Sequence, residues 1–394
     1  MGTELRTAIR DEIEHVFGRK ISSSRDCIQL SEDIYHRTQQ QLNSNTLRRF
    51  FGLVKADYPP SKSTLTILSA YCGFFSTEDL INRKRPGDTG ELIAQEGLVH
   101  YLVSLFCDIH IEDFTDKTFL SLVRQTIRFL NKNAVLADKF QSLVAKTKNG
   151  QEFYFEQFVN IDKFNYYYED GLRYYLNEKP TRDARIFANS VFVYKYWLND
   201  NHERVLRHAK EISEITQETL SPLPGTYITS RYFAALLFSV PGSARQVDQI
   251  LINIYKYYSA IIGDVSNEQM LYFEYVVSEA LILTGHYNDA LYYLSQSEER
   301  KLKSEQFKYT ISQHNFKLLK AVALLKTDNW DSAKKIFDEI KPSEFYFLNK
   351  KFSAIMYTYL SNQFQRTNVK SVEFMNSLVD ETGFVKLKLI LAEA

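Results

Sequence analysis

Residues that break regular structure are scarce in this sequence of 394 residues, which has 8 prolines and 14 glycines. Because these two residue types end helices and build tight turns, their scarcity favours long helices over sheets. Cysteine is scarcer still: Cys27, Cys72 and Cys107 lie far apart and form no CxxC pair. This pattern argues against a disulfide framework and predicts reduced, buried thiols in a cytoplasmic protein.

Long apolar runs and a charge excess are missing as well. The best apolar run, LVHYLVSLF at residues 98–106, falls short of the roughly 18 residues of a membrane-spanning helix. The first residues, MGTELRTAIRDEIEH, carry charge from the start and predict no signal peptide. The 48 basic residues balance 48 acidic ones, although residues 1–85 hold 13 basic and 10 acidic residues. We therefore expect no membrane partner, and an anionic partner, if there is one, at the N-terminal end.

What the sequence does contain is helical periodicity and many aromatic residues, 26 Tyr and 28 Phe. Aromatic-dense segments at 153–158 and 164–168 are typical of helix packing, although a ligand pocket lined by tyrosine has the same composition. The pair Asn149-Gly150 predicts a turn, and the polar segment KRPGDTG at residues 84–90 predicts a domain boundary. We predict an all-α protein with three regions, residues 1–85, 86–180 and 181–394.

The first region shows the apolar spacing of short helices at residues 4–17, 25–38, 44–51 and from about 61 to 73, with another from Ser76. The predicted buried face of the second helix consists of Cys27, Ile28, Leu30, Ile34 and Tyr35.

The third helix lies in the segment NSNTLRRFFG, residues 43–52. Asn43 or Ser44 is suited to cap it, because a short side-chain oxygen can accept from the N–H groups of the first turn. The spacing of Leu47, Phe50 and Phe51 directs them to a core, and it places Asn45 and Arg49 one turn apart on another face.

The segments LSEDI, NSNTLRRFFG, PPSKSTLTILSAYCGF and STEDL occur in this order within residues 24–82. Together they resemble the lambda-repressor/Cro-like (XRE-type) helix-turn-helix domain. The resemblance implies that the third helix enters the major groove of DNA, where arginine can read guanine and asparagine can read adenine. Asn45 and Arg49 would then read bases, while other residues would position the phosphates. The candidate DNA contacts are Asn45, Arg48, Arg49, Ser44, Lys55, Ser61 and Lys62.

The third region contains an internal repeat. GHYNDALYYLSQSE from Gly285 and DNWDSAKKIFDEIKP from Asp328 share one pattern 43 residues apart, and similar steps backward reach turns at 240–242 and 199–201. A helix pair that repeats every 40–44 residues predicts an α-solenoid of helical hairpins. The pairs resemble tetratricopeptide repeats. The first helices of the pairs would line a concave face that binds a peptide or protein, with candidate contacts at Asn189, Tyr196, Arg231, Tyr272, Tyr275 and Asn315.

Sequence signatures of catalysis and cofactor binding are missing. There is no GxxxxGK[ST] or GxGxxG segment, and His202 and His208, six residues apart, fall on different faces of one predicted helix. We therefore predict a protein that is not an enzyme and holds no cofactor or metal.

The head and tail together resemble bacterial regulators in which a helical-repeat domain senses a peptide or protein and sets the spacing of two DNA-binding heads. This resemblance implies a sequence-specific DNA-binding transcriptional regulator whose tail senses a partner, forms a homodimer, or does both. One alternative is a non-enzymatic scaffold or adaptor whose head does not bind DNA. The interval from Leu30 to Leu47, 17 residues with a wide turn at 39–42, is longer than in that family and favours the adaptor. Another alternative is an accessory subunit of a system with a separate catalytic partner.

Overall fold

A computed structural model describes residues 3–38, 40–55, 60–74, 89–108, 116–131, 133–217, 225–240, 244–301, 311–365 and 369–392. Every regular element within these ranges is helical, which confirms the predicted all-α class. The chain divides into two compact units. The N-terminal unit comprises Met1–Tyr101 and Asn133–Leu136, and the C-terminal unit comprises Leu102–Lys132 and Ala137–Ala394. The three predicted regions are not tested by this division and stay a prediction.

Four helices build the core of the N-terminal unit, and a fifth begins in it and ends in the C-terminal unit. Their bounds are α1 Thr3–Phe17, α2 Ser24–Thr38, α3 Ser44–Phe51, α4 Lys62–Tyr71 and α5 Thr89–Asp108. The helix predicted from Ser76 and most of the predicted boundary segment lie outside the described residues. The core contains Ile9, Ile13, Leu30, Ile34, Leu47, Phe50, Leu68 and Tyr71, together with smaller contributions from the connecting segments.

Two residues assigned to the buried face of α2 are exposed. Ile28 is 50% exposed and Tyr35 is 48% exposed, so this part of the prediction was wrong. The buried stripe of α2 follows Cys27, Leu30 and Ile34, and a residue one step further along a helix is rotated about 100° away from such a stripe. The cysteines are thiols as predicted, but only Cys27 is buried: Cys72 is half-buried and Cys107 is exposed.

The C-terminal unit contains the longer succession of helices, of which α7 begins with residues that belong to the N-terminal unit. Their bounds are α6 Lys117–Leu130, α7 Ala134–Val144, a π-helix Gly150–Gln157, a 3-10 helix Ile161–Lys163, α8 Tyr167–Glu178, α9 Arg182–Leu198, α10 His202–Gln217, α11 Thr226–Ser239, α12 Ala244–Ile261, α13 Asn267–Leu283, α14 Tyr287–Lys301, α15 Gln313–Lys326, α16 Trp330–Asp338, a 3-10 helix Pro342–Glu344, α17 Lys350–Phe364, α18 Val369–Thr382 and α19 Val385–Ala392.

Helices α9 to α18 pack in consecutive pairs. Each of α9, α11, α13, α15 and α17 contacts the helix that follows it, and each of the first four also contacts the next member of this odd-numbered set. The odd-numbered helices are buried on most sides: α13 is buried from Met270 to Leu283. The even-numbered helices cover them from outside, which explains why α10 and α16 alternate buried and exposed residues.

Three of the turns that connect the two helices of a pair share one backbone geometry. Asp200, Gly285 and Asp328 all have positive φ, at 54°, 85° and 59°. The residue after each of them donates a backbone hydrogen bond to a carbonyl in the last turn of the preceding helix, over 2.8, 2.8 and 2.9 Å. The alanines that the sequence pattern aligned, Ala290 and Ala333, are both fully buried. The sequence pattern therefore coincides with one turn geometry at these three positions, whereas most of the turn predicted at 240–242 lies outside the described residues.

The last helix of the chain returns to the first pair of this succession. Helix α19 contacts α9 as well as α17 and α18. Lys386 of α19 forms an ion pair with Asp200, with 2.8 Å between Nζ and Oδ1. Tyr166 donates to the carbonyl of Glu381 over 2.8 Å.

Among the described helices, none combines the length and the apolar composition that a membrane crossing requires.

Candidate functional site

Helix α3 is short, and its ends are well defined by side chains and backbone. The Asn43 carboxamide oxygen accepts from the backbone N–H of Asn45 over 2.8 Å, so Asn43 is the N-cap. Gly52 ends the helix with a φ of 79°, and the Leu53 N–H donates to the carbonyl of Arg48 over 2.9 Å. A residue other than glycine is strained at such a φ, which explains the helix end at Gly52.

One face of α3 is fixed to the core of the N-terminal unit. Leu47, Phe50 and Phe51 are 0%, 2% and 9% exposed, which confirms their predicted direction. Arg10 of α1 donates from Nε to the carbonyl of Phe50 over 2.9 Å and lies beside both phenyl rings. The orientation of α3 is therefore set by packing and by a charge-assisted bond at its carboxyl end.

The other face of α3 carries the predicted base-reading residues. Asn45 and Arg49 are exposed, and Ser44 and Arg48 are half-buried. Arg48 donates from its guanidinium to the Asn45 side-chain oxygen over 3.0 Å. This bond uses one of the two acceptor lone pairs of the Asn45 oxygen, so the amide can still read an adenine while Arg48 holds it.

The remaining three candidate DNA contacts, Lys55, Ser61 and Lys62, follow α3 in the sequence. Lys55 is exposed just beyond the helix. Ser61 is the N-cap of α4, where its hydroxyl accepts from the N–H of Thr64 over 3.1 Å, so its first role is structural. The side chain of Lys62 lies outside the described residues.

The acidic residue nearest in sequence to the turn is engaged elsewhere. The Asp33 carboxylate accepts from the Tyr71 hydroxyl over 2.5 Å and pairs with Arg37 at 3.1 Å. Burial, followed by the hydrogen bond to Asp33, raises the pKa of Tyr71. Since the first turn of α3 contains no acidic residue, the partial positive charge of its amino end is not neutralised from within the helix.

The wide turn between α2 and α3 is fixed at its far end. The Ser31 hydroxyl of α2 donates to the carbonyl of Leu42 over 2.5 Å, and the Leu42 side chain is 6% exposed. The chain between α2 and α3 is thus anchored to the core immediately before α3.

Four of the six candidate partner contacts meet in one buried polar network of the C-terminal unit. Arg231 donates from Nε to the Tyr272 hydroxyl over 3.1 Å. The Asn315 amide donates to the Asn349 side-chain oxygen over 3.0 Å, and the Asn349 amide donates to the Tyr275 hydroxyl over 2.8 Å. These side chains belong to different helix pairs, so the network ties the pairs together.

At the centre of this network lies a carboxylate that sequence reasoning missed. Glu279 of α13 accepts from the hydroxyls of Tyr194, over 2.8 Å, and Tyr275, over 3.0 Å. It is 2% exposed, and burial raises its pKa, although Arg231 opposes this shift. Burial lowers the pKa of Arg231, but Tyr272 and Glu279 outweigh it and the net shift is upward. A glutamate within the apolar run MLYFEYVVSEALIL was the available signal for a buried charge.

The other two candidate contacts, Asn189 and Tyr196, belong to a separate cluster on α9. The Asn189 oxygen lies 2.8 Å from Nδ1 of His208, whose ring stacks on Tyr196 with 5.5 Å between centroids. The Tyr196 hydroxyl donates to Glu169 over 2.8 Å, and Glu169 also pairs with Lys195. All six predicted contacts are thus buried in the C-terminal unit, in two groups rather than one.

Comparison of the chain with protein-family models, with curated proteins and with solved structures finds no match. The assignment of function therefore depends on the residues themselves.

The aromatic-dense segments pack against their surroundings. Phe155 contacts Tyr168 and Tyr175, and Phe164 lies edge-on to Tyr194 at 5.8 Å. In the described ranges, no group of three or more His, Cys, Asp or Glu side chains is placed to hold a metal ion.

The environment of His208 predicts a pH-dependent stability. Burial, followed by Arg207, Arg173, Arg204 and Lys195, lowers the pKa of His208 from 6.5 to about 4. Below pH 6.5 the unfolded chain binds a proton that the folded chain does not, so stability is lost as the pH falls from 6.5 toward 4.

From pH 7 to pH 5 we expect His208 to account for about 1–2 kcal/mol of lost unfolding free energy, after a discount for its partial exposure. Urea titration followed by tryptophan fluorescence measures it, because both tryptophans, Trp197 and Trp330, lie in the C-terminal unit. The variant His208→Gln should lack this loss, whereas His202→Gln, at the exposed start of the same helix, should retain it. If the unfolding free energy depended on pH equally in wild type and in His208→Gln, the lost stability could not be assigned to His208.

Proposed function

We propose that this chain is a sequence-specific DNA-binding transcriptional regulator in which α2 and α3 form a helix-turn-helix and α3 is the recognition helix. The proposal rests mainly on the two faces of α3. One face is fixed in the core through Leu47, Phe50 and Phe51, while Asn45 and Arg49 are exposed one turn apart. A helix anchored in this way can present side chains to base edges without reorganising.

The charge around α3 supports the same proposal. The helix carries two arginines and no acidic residue, and Lys55 follows it in an exposed position. The Asp33 carboxylate is engaged by Arg37 and Tyr71. Such a surface, together with the positive amino end of α3, favours binding of the anionic phosphate backbone of DNA.

In this proposal the C-terminal unit is an α-solenoid of tetratricopeptide-like hairpins that recognises a peptide or protein, dimerises, or does both. The paired packing of α9 to α18 and the equivalent turns at Asp200, Gly285 and Asp328 support the solenoid. Because the six candidate contact residues are buried, a partner that used them would have to replace contacts that the chain makes with itself.

A protein-docking adaptor is the second candidate, and one observation favours it. Ile28 and Tyr35 lie two turns apart on α2 and are both about half exposed. Apolar side chains exposed together on one helix are typical of a protein interface.

Selection of DNA from a random pool by the full chain, followed by fluorescence anisotropy titration, tests the DNA proposal. We expect Arg49→Ala to cost about 1–3 kcal/mol of binding free energy and to relax base choice at one position. The matched control Arg245→Ala removes an exposed arginine from α12 and should leave binding unchanged.

The variant Lys55→Ala distinguishes phosphate contact from base reading. It should weaken binding to all sequences alike and reduce the salt slope by about one. Enrichment of no sequence by the full chain would remove the DNA proposal and leave the adaptor.

A further inference from the structure

A small cavity of about 170 Å³ lies in the C-terminal unit where α9 ends, α10 begins and α11 ends. An engineered protein cavity of about 150 Å³ is large enough to bind benzene, so this cavity has room for an apolar group the size of about one aromatic ring. None of the residues that line it belongs to the α3 surface or to the buried network around Glu279.

Two aromatic rings form one side of the cavity. Trp197 and Phe238 lie with 4.5 Å between ring centroids and an interplanar angle of 37°. Val205 and Val240 add apolar surface. Such rings accept an apolar body, and their faces also attract a cation, tryptophan most strongly.

The cavity is lined by charges of both signs, among them the positive amino end of α10 at His202, and its negative groups can hold a cation. The carboxyl end of α11, at Ser239 and Val240, lines the cavity and carries the negative end of that helix dipole. The Asp200 side chain, which also lines the cavity, adds a full negative charge. It belongs to the turn after α9, where the Asp200 backbone has a φ of 54°. His202 and Lys386 also line the cavity, so a carboxylate ligand is the competing possibility that the experiment must exclude.

The fold already places one ammonium group at this position. Nζ of Lys386, from α19, lies 2.8 Å from Oδ1 of Asp200, and both side chains are partly exposed. The pair shows that Asp200 can accept from a primary ammonium beside the aromatic wall.

We propose that this cavity binds a primary ammonium group attached to an apolar body of about one ring, and that the ligand competes with Lys386 for Asp200. The ammonium donates to the Asp200 carboxylate, and the body packs against Trp197 and Phe238. The inference does not rest on DNA binding, because every residue that it uses lies in the C-terminal unit.

The experiment uses Trp197 as the reporter. The background variant Trp330→Phe removes the second of the two tryptophans, which is 48% exposed and packs on Phe364. In the full chain, benzylamine should change Trp197 fluorescence with a saturable titration. Benzyl alcohol and benzoate, which keep the ring and replace the ammonium, should bind at least about tenfold more weakly, since a hydrogen bond to a charged group is worth about 1.5–3 kcal/mol.

Two aspartates in equivalent turns give a matched pair of variants. Asp200→Asn should weaken the binding of benzylamine at least about tenfold, whereas Asp328→Asn should leave the affinity unchanged. Asparagine tolerates the left-handed conformation of both turns, so the fold should persist in each variant. Lys386→Met should tighten the binding of benzylamine, because it removes the ammonium group of the protein that competes for Asp200.

A third set of probes separates the sources of the ammonium. Binding of benzylamine without binding of the peptide N-acetyl-Gly-Lys-Gly-amide assigns the cavity to small amines, and binding of the peptide extends it to lysine side chains. Benzoate binding at least as tightly as benzylamine, equal affinities in Asp200→Asn and wild type, or no saturable binding of any amine would each overturn the proposal.

Discussion

Replacing Glu279 by alanine is expected to lower the unfolding free energy of the C-terminal unit by about 3–5 kcal/mol. The substitution leaves the Arg231 guanidinium, 6% exposed, without the carboxylate that helps to raise its pKa. It also removes the acceptor of the Tyr194 and Tyr275 hydroxyls, which are buried. Urea titration followed by tryptophan fluorescence measures the change, since Trp197 and Trp330 report this unit.

The control is a glutamate that makes a similar bond at the surface. Glu298 is half exposed and accepts from Lys320 over 2.6 Å, and Glu298→Ala should cost less than about 1 kcal/mol. A loss in Glu279→Ala no larger than in Glu298→Ala would show that Arg231 is compensated by other groups.

Replacing Gly150 by alanine is expected to cost about 3 kcal/mol or more, because it overpacks a buried helix junction. A Cβ atom at Gly150 would lie 2.2 Å from the backbone carbonyl oxygen of Val144 and 2.7 Å from the Thr147 hydroxyl. The same hydroxyl accepts from the Gly150 N–H over 2.9 Å, so the two segments cannot separate without losing this bond. The tryptophan-monitored urea titration again provides the measurement.

Gly171 gives the comparison for this prediction. A Cβ atom there would also come within 2.2 Å of another group, but that group is the end of the Gln141 side chain. Gln141 can move, at the cost of its hydrogen bond to the carbonyl of Tyr167, so Gly171→Ala should cost less than Gly150→Ala. The reverse order would show that the backbone at Val144 yields more easily than a buried amide.

The sequence predicted those features that depend on local periodicity. Leu47, Phe50 and Phe51 are buried because their spacing follows one face of a helix, and Asn43 caps that helix because its side chain reaches the first turn. The repeated pattern coincides with one turn geometry at Asp200, Gly285 and Asp328, where a residue with positive φ closes each turn.

The features that the sequence did not reveal depend on distant neighbours. Ile28 and Tyr35 have the composition of a buried face, yet among the described residues of the N-terminal unit no element covers them. Asn149-Gly150 has the composition of a turn, but Gly150 begins a π-helix because its missing side chain permits close approach to Val144.

Polar residues also make contacts with residues far away in the sequence, and the sequence did not reveal these contacts. Asp162 accepts from the N–H groups of Lys351 and Phe352, at 2.8 and 3.1 Å, and so caps α17 from a distant part of the chain. Asn349, at the N-cap position itself, directs its amide to Tyr275. No local pattern distinguishes such a residue from an ordinary cap.

The contact between α19 and α9 has a consequence for how the C-terminal unit unfolds. In an open array of helix pairs, each pair touches its neighbours alone, so the ends fray and unfolding can proceed pair by pair. Here the ion pair of Lys386 with Asp200 and the bond from Tyr166 to Glu381 join residues about two hundred positions apart. Fraying of the last helix therefore exposes the first pair as well, which raises the cooperativity of unfolding. Closing so long a loop also makes folding slow, because its entropy is lost before the contacts form.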